Sequence, residues 1–151
     1  MKVGIVACSA SKINRPALVR ELYAKSALFR YALNYCEKHY EKTYVVSAKY
    51  GLLELDQTIK PYNTTLNLMR AYEIREWASK TAEQIKAAIP IGSEIYFHAG
   101  AKYCVISQYL LPEGDEKAAF TIFEPMKEVG GIGKQLKFYK DDAGAKIEGP
   151  K

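Results

Sequence analysis

Four short runs of β-branched and aromatic residues alternate along this chain with stretches of helical spacing. The runs are residues 2–7, 43–47, 94–98 and 119–123, each with the length and composition of a buried strand. After the first, Pro16 suits the opening turn of a short helix through Leu18 and Leu22. Ser26 is placed to cap a second helix, whose stripe is Leu28, Phe29, Ala32, Leu33 and Cys36. The longest helix is expected from about Leu68 to Ala88, with Ile74, Ala78, Ala82 (or Thr81), Ile85 and Ile89 inward and Pro90 as its stop. Ala99-Gly100 breaks the third strand, and Val105, Ile106, Tyr109 and Leu110 mark an amphipathic helix over residues 103–111. A turn at residues 112–115 precedes the fourth strand, and Gly130-Gly131-Ile132-Gly133 leads into a short basic helix over residues 134–140. The order β-α-α-β-loop-α-β-α-β-α predicts one three-layer α/β domain over residues 1–140, built on a mostly parallel central sheet. Residues 141–151 carry Gly, Pro and mixed charge without apolar periodicity and are expected to fray.

Open α/β sheets bind ligands beyond the carboxyl ends of their strands. That edge should gather Cys8, Ser9 and Lys12; Ser47, Lys49, Tyr50 and Gly51; His98 and Gly100; and Glu124. The stretch from Tyr44 to Tyr62 is the most suggestive, because an apolar strand turns polar abruptly at Ser47. Gly51 and Pro61 bracket a loop expected to keep Lys49, Tyr50, Asp56 and Tyr62 near one strand end.

Each of these residues has two readings. Cys8 is either a small buried thiol or a thiolate favoured by a neighbouring lysine. Ser9 and Ser11 either form a turn or donate to a phosphate. Lys12 and Lys49 are either solvated or anion-binding. Asp56 is a turn cap or a proton-handling carboxylate, and His98 is a site residue or a core histidine. His39, amid Glu37, Lys38 and Glu41, reads as surface.

Composition narrows the classes. The net charge of +5 permits a nucleic-acid or phosphate partner, and Lys134, Lys137 and Lys140 fall along one helical face as a candidate nucleic-acid contact. The 12 tyrosines serve cores and base-stacking platforms alike. The three cysteines, Cys8, Cys36 and Cys104, are scattered without metal-ligand spacing, which points to no disulfide framework, no structural metal and a cytoplasmic setting. No signal-peptide core and no membrane span of ~20 apolar residues is present. Gly130-x-x-Gly133-Lys134 lacks the spacing of a triphosphate loop, and no catalytic serine elbow or metal signature occurs; no cofactor is expected.

Taken together, Cys8-Ser9-x-x-Lys12 with Pro16, the run Leu22-Tyr23-x-x-Ser26-x-Leu28-Phe29, Ser47-Ala48-Lys49-Tyr50-Gly51-Leu52, Ile59-x-Pro61-Tyr62 and Ile132-Gly133-Lys134-Gln135-Leu136 resemble an uncharacterised bacterial and phage domain family. The central motif is similar to the Ser-Gly-x-Tyr-Gly-x-Leu segment of the YaaA-type peroxide-stress proteins, associated with DNA binding, with Ala48 in place of the glycine. The Cys8-Ser9-x-x-Lys12 run also resembles a signature in archaeosine synthase, whose core is related to the uracil-DNA-glycosylase fold. These resemblances imply a uracil-DNA-glycosylase-like fold and a nucleobase, nucleotide or nucleic-acid partner. The enzyme reading is glycosidic-bond or base-modification chemistry, with Lys12 and Lys49 holding negative charge, Tyr50 or Tyr62 stacking on a base, and Asp56 or His98 handling a proton. The alternatives are a non-catalytic DNA- or RNA-binding module and a nucleotide-capturing sensor or counter-defence protein.

Overall fold

A computed structural model describes residues 1–112 and 119–144. Its strands are β1 (Lys2–Ala7), β2 (Ala17–Leu18), β3 (Lys42–Ser47), β4 (Gly51–Glu54), β5 (Thr58–Ile59), β6 (Glu94–His98) and β7 (Thr121–Phe123). Its α-helices are α1 (Val19–Leu22), α2 (Ala27–His39), α3 (Ala71–Ala88) and α4 (Ile132–Ala143), with 3-10 segments at Leu66–Leu68 and Tyr103–Tyr109. The central sheet has five strands in the order β4-β3-β1-β6-β7. β1 is parallel to both β3 and β6, β6 is parallel to β7, and only β4 runs antiparallel.

β1 reads as unbroken apolar sequence because both of its faces are covered. Val3 and Ile5 pack under α3 with Ala78, Ala82, Ile85 and the 3-10 segment's Ile106. Val6 faces the other way, into a core with Leu22, Tyr23, Phe29, Cys36 and Tyr139 under α2 and α4. Gly4 lets α2 approach the sheet, since a Cβ there would lie 2.6 Å from the Tyr40 ring. The result is the expected three-layer α/β domain. Among the described residues no helix is long and apolar enough to cross a membrane.

Long-range pairing reshapes several local expectations. The stretch expected to be a loop after Ser47 turns back as β4, with Val46 opposite Leu52 and Tyr44 opposite Glu54. Gly51 closes this hairpin with φ of 71°, a left-handed conformation that favours glycine. Gln84 of α3 pins the turn, accepting from Leu52 N–H and donating to the Tyr50 carbonyl. β5 then pairs antiparallel with β2, Ala17 opposite Ile59. The helix expected from Pro16 is therefore split into a strand pair and the single turn α1, whose Val19 and Arg20 amides donate to the Gln57 and Leu55 carbonyls.

The helix expected over residues 103–111 is a 3-10 segment, Tyr103–Tyr109, rather than an α-helix, and α3 starts at Ala71, after a separate turn at Leu66–Leu68. The basic helix runs on to Ala143 and ends at Gly144 in the left-handed region, φ 69°. Asp142 lies in this helix and reaches His39 at 3.0 Å and Lys38 at 3.5 Å, so the helix takes in residues 141–143 of the expected tail. The rest of the expected tail, and the turn beyond residue 112, fall outside the described residues.

Candidate functional site

The connection leaving β1 crosses the α2 face on its way to β3, whereas the connection leaving β6 crosses the opposite face through Tyr103–Tyr109 on its way to β7. β1 and β6 are neighbours, so their outgoing chains part and leave a crevice at the topological switch point. Three adjoining hollows follow this edge: a polar cleft of about 310 Å³, a more apolar slot of about 230 Å³ and a wider hollow of about 570 Å³. Cys8 and Ser9 line both cleft and slot, while Ala99, Gly100 and Gln135 line both slot and wider hollow.

The cleft lies between the loop after β1 and residues 63–67. Cys8 Sγ is 3.1 Å from the Tyr103 hydroxyl, whose phenol is pushed well above its ordinary pKa by burial. The Lys12 ammonium sits 4.5 Å from the Tyr62 ring centroid and 5.8 Å from that of Tyr23, a cation–π arrangement. Burial lowers the Lys12 pKa, opposed by Coulombic attraction to Cys8. Lys49 lies 5.2 Å from the Tyr50 ring centroid. Among the described residues neither lysine has a carboxylate within ion-pair distance.

Beneath Lys12 runs a chain of hydroxyls. Ser47 Oγ accepts from the N–H groups of Lys49 and Tyr50, both at 3.1 Å, and donates its own hydrogen to the Tyr62 hydroxyl at 2.6 Å. Tyr62 in turn shares a 2.5 Å hydrogen bond with Tyr23. Trp77 Nε1 donates to the Ser47 carbonyl at 2.9 Å, tying α3 to the same point. Burial raises the pKa of both phenols, keeping them neutral. Tyr62 is buried with Lys12 over its ring, so it supports the cleft rather than presenting a face on which a base could stack.

His98 stands at the expected edge and lines the slot, but its ring is already occupied. Nε2 contacts the Tyr40 hydroxyl and Nδ1 the Tyr139 hydroxyl, both at 2.7 Å. Burial, with a smaller contribution from the positive charge of His39, pushes its pKa down to about 4. The folded state thus holds His98 neutral while an unfolded chain protonates it near pH 6.5. Stability should therefore fall by about 2–3 kcal/mol as pH drops from about 6.5 to 4. Urea titrations across that range should show the slope, and His98→Gln should flatten it.

Asp56 does not join the site. β4 carries the chain back along β3, leaving Asp56 at the amino end of the sheet, where it shares a hollow with Lys42 and Thr43 and pairs with Arg20 at 3.2 Å. Gly51 serves the hairpin, and Gly100 opens the floor shared by slot and wider hollow. Lys134, Lys137 and Lys140 are all exposed on α4, but Lys137 is bound to Asp141 at 2.7 Å and Lys140 lies 5.7 Å from the Tyr31 ring centroid. Among the described residues no three of His, Cys, Asp and Glu gather as metal ligands would.

Sequence reasoning missed Asn63, Thr65, Asn67 and Tyr103 on the cleft and Gln135 on the slot. The polar run Asn63-Thr64-Thr65 directly after Tyr62 was the available signal. Tyr103 carried none, since its hydroxyl meets Cys8 only through the crossing of two distant loops.

Fold and crevice together define an open-sheet α/β protein whose polar residues converge at the switch point. The chain belongs to a family of unknown function (DUF6884), which it matches over residues 3–141. No curated protein and no solved structure matches it, so the comparisons give no support to a likeness with the peroxide-stress proteins or archaeosine synthase.

Proposed function

We propose that the protein processes a nucleotide, or a nucleobase within a nucleic acid, in the switch-point crevice, by chemistry at the glycosidic bond or on the base. One observation carries this reading: a cationic polar cleft and a more apolar slot meet at Cys8-Ser9. A nucleotide has the same division, with a charged end and a flat, weakly polar end joined through a sugar. The slot offers Leu28, Phe29 and Ile132 to the base, and the cleft offers Lys12 to negative charge. The motif resemblances to nucleobase- and DNA-associated families support the same setting, and the uracil-DNA-glycosylase-like fold belongs with this proposal.

Lys12 stabilises charge that develops on the ligand, and Cys8, next to Tyr103, is the reactive group nearest the junction. Incubation with a panel of nucleosides, nucleotides and base-modified DNA, followed by mass spectrometry, tests the reading. Product is expected, formed about a hundredfold more slowly by Lys12→Ala. Stoichiometric binding without product would replace the enzyme with a capture protein. Neither binding nor product would overturn the reading.

A further inference from the structure

Three side-chain acceptors of the polar cleft are already engaged inside the protein. Ser9 Oγ accepts from the Ser11 N–H at 3.1 Å and Thr65 Oγ1 from the Asn67 N–H at 3.2 Å. Asn67 Oδ1 accepts from the Lys102 ammonium at 2.9 Å. Cys8 and Tyr103 carry a polar hydrogen each but share one contact, so with a neutral thiol one hydrogen is left over. Lys12 has three N–H groups and one long bond, 3.5 Å to the Ala10 carbonyl. The hydroxyl chain beneath it repeats the imbalance: Ser47, Tyr62 and Tyr23 hold three hydroxyl hydrogens and share two bonds. These groups bring more polar hydrogens than the contacts among them use, and among the described residues no carboxylate lines the cleft.

We infer that this cleft is a phosphate subsite, taking the tetrahedral oxyanion of a phosphate monoester with Lys12 as its charge partner and Ser9, Thr65 and Asn67 as its hydrogen-bond donors. A phosphate has acceptors only and presents them in several directions, so donors on both walls can reach it at once. A planar carboxylate offers two oxygens in a single plane. The cleft, at about 310 Å³, holds a phosphate with an attached sugar. Lys12 is partly desolvated and, among the described residues, has no carboxylate partner, a cost that a bound dianion offsets. Within the function proposed above, on which this extension to a nucleoside rests, the substrate is a nucleoside phosphate rather than a free nucleoside.

Trp77, the only tryptophan, supplies the readout, because its ring meets Tyr103 edge-on at 5.6 Å. Inorganic phosphate, ribose 5-phosphate, a nucleoside monophosphate and the matching nucleoside are titrated against the full chain at matched ionic strength while Trp77 fluorescence is followed. Saturable binding of phosphate and ribose 5-phosphate is expected, weakened roughly tenfold or more in Lys12→Met and restored in part by Lys12→Arg. Melting curves of both variants confirm that they fold. No saturable phosphate binding, or equal binding by Lys12→Met, overturns the subsite. A nucleoside that binds as tightly as its monophosphate, without competition from phosphate, also overturns it while leaving the base-directed function intact. Ribose 5-phosphate binding as tightly as the nucleotide would instead remove the base from the function and keep the subsite.

Discussion

Truncation of Tyr139 to alanine is expected to destabilise the protein by about 3–5 kcal/mol, the range for losing a large buried aromatic side chain. Tyr139 is fully buried on α4, packs edge-on against Tyr35 of α2 with centroids 5.5 Å apart, and ends in the 2.7 Å contact with His98 Nδ1. It is thus the bolt that joins α4 to α2 and to the carboxyl end of β6. Tyr139→Phe keeps the ring and removes only the hydroxyl, so about 1–2 kcal/mol is expected from the broken hydrogen bond and the buried imidazole nitrogen left unpartnered. Urea unfolding of the pair separates packing from hydrogen bonding. Equal losses in the two variants would show that the hydroxyl, not the ring, fastens the helix.

Ser47→Ala should cost roughly 3–5 kcal/mol although it deletes a single oxygen. Ser47 is fully buried, and its Oγ serves three partners: the Lys49 and Tyr50 amides and the Tyr62 hydroxyl. The two amides lose their acceptor, at about 1–3 kcal/mol each, while the Tyr62 hydroxyl keeps only Tyr23. The same change frees the Tyr62 ring on which Lys12 rests, so ligand affinity should fall with stability. A double-mutant cycle with Tyr62→Phe checks the mechanism, because the second change should cost clearly less once Ser47 is gone. Additive losses would mean that the hydroxyls do not act as a chain.

How much of this was readable beforehand follows from the range of the forces involved. β1, β3 and β6 announce themselves because strands covered on both faces must be apolar throughout, and α2 and α3 because one stripe must face the sheet. The hairpin at Gly51 was not legible. β4 has only four residues, too few for an alternation to stand out, and its stability comes from β3 and Gln84. That single miss displaced Asp56, because a loop would have left it at the carboxyl edge and a returning strand carries it to the other end. Cys8, Ser9, Lys12 and Gly100 were placed at the crevice by the strand-end rule alone. His98 was placed there too, but its occupation by two tyrosines depends on Tyr40 and Tyr139, which come from distant helical segments and leave no trace in the residues around it.

The central position of β1 also orders events during synthesis. β1 is made first, yet it lies between β3, which follows within the first third of the chain, and β6, which emerges only after α3. A nascent chain can dock α2 over β1 and β3 early, since those contacts close a short loop. The opposite edge of β1 then waits, with its amides and carbonyls unpaired, until β6 arrives. The crevice opens where those two strands meet, so its walls can come together only once β6 has been made.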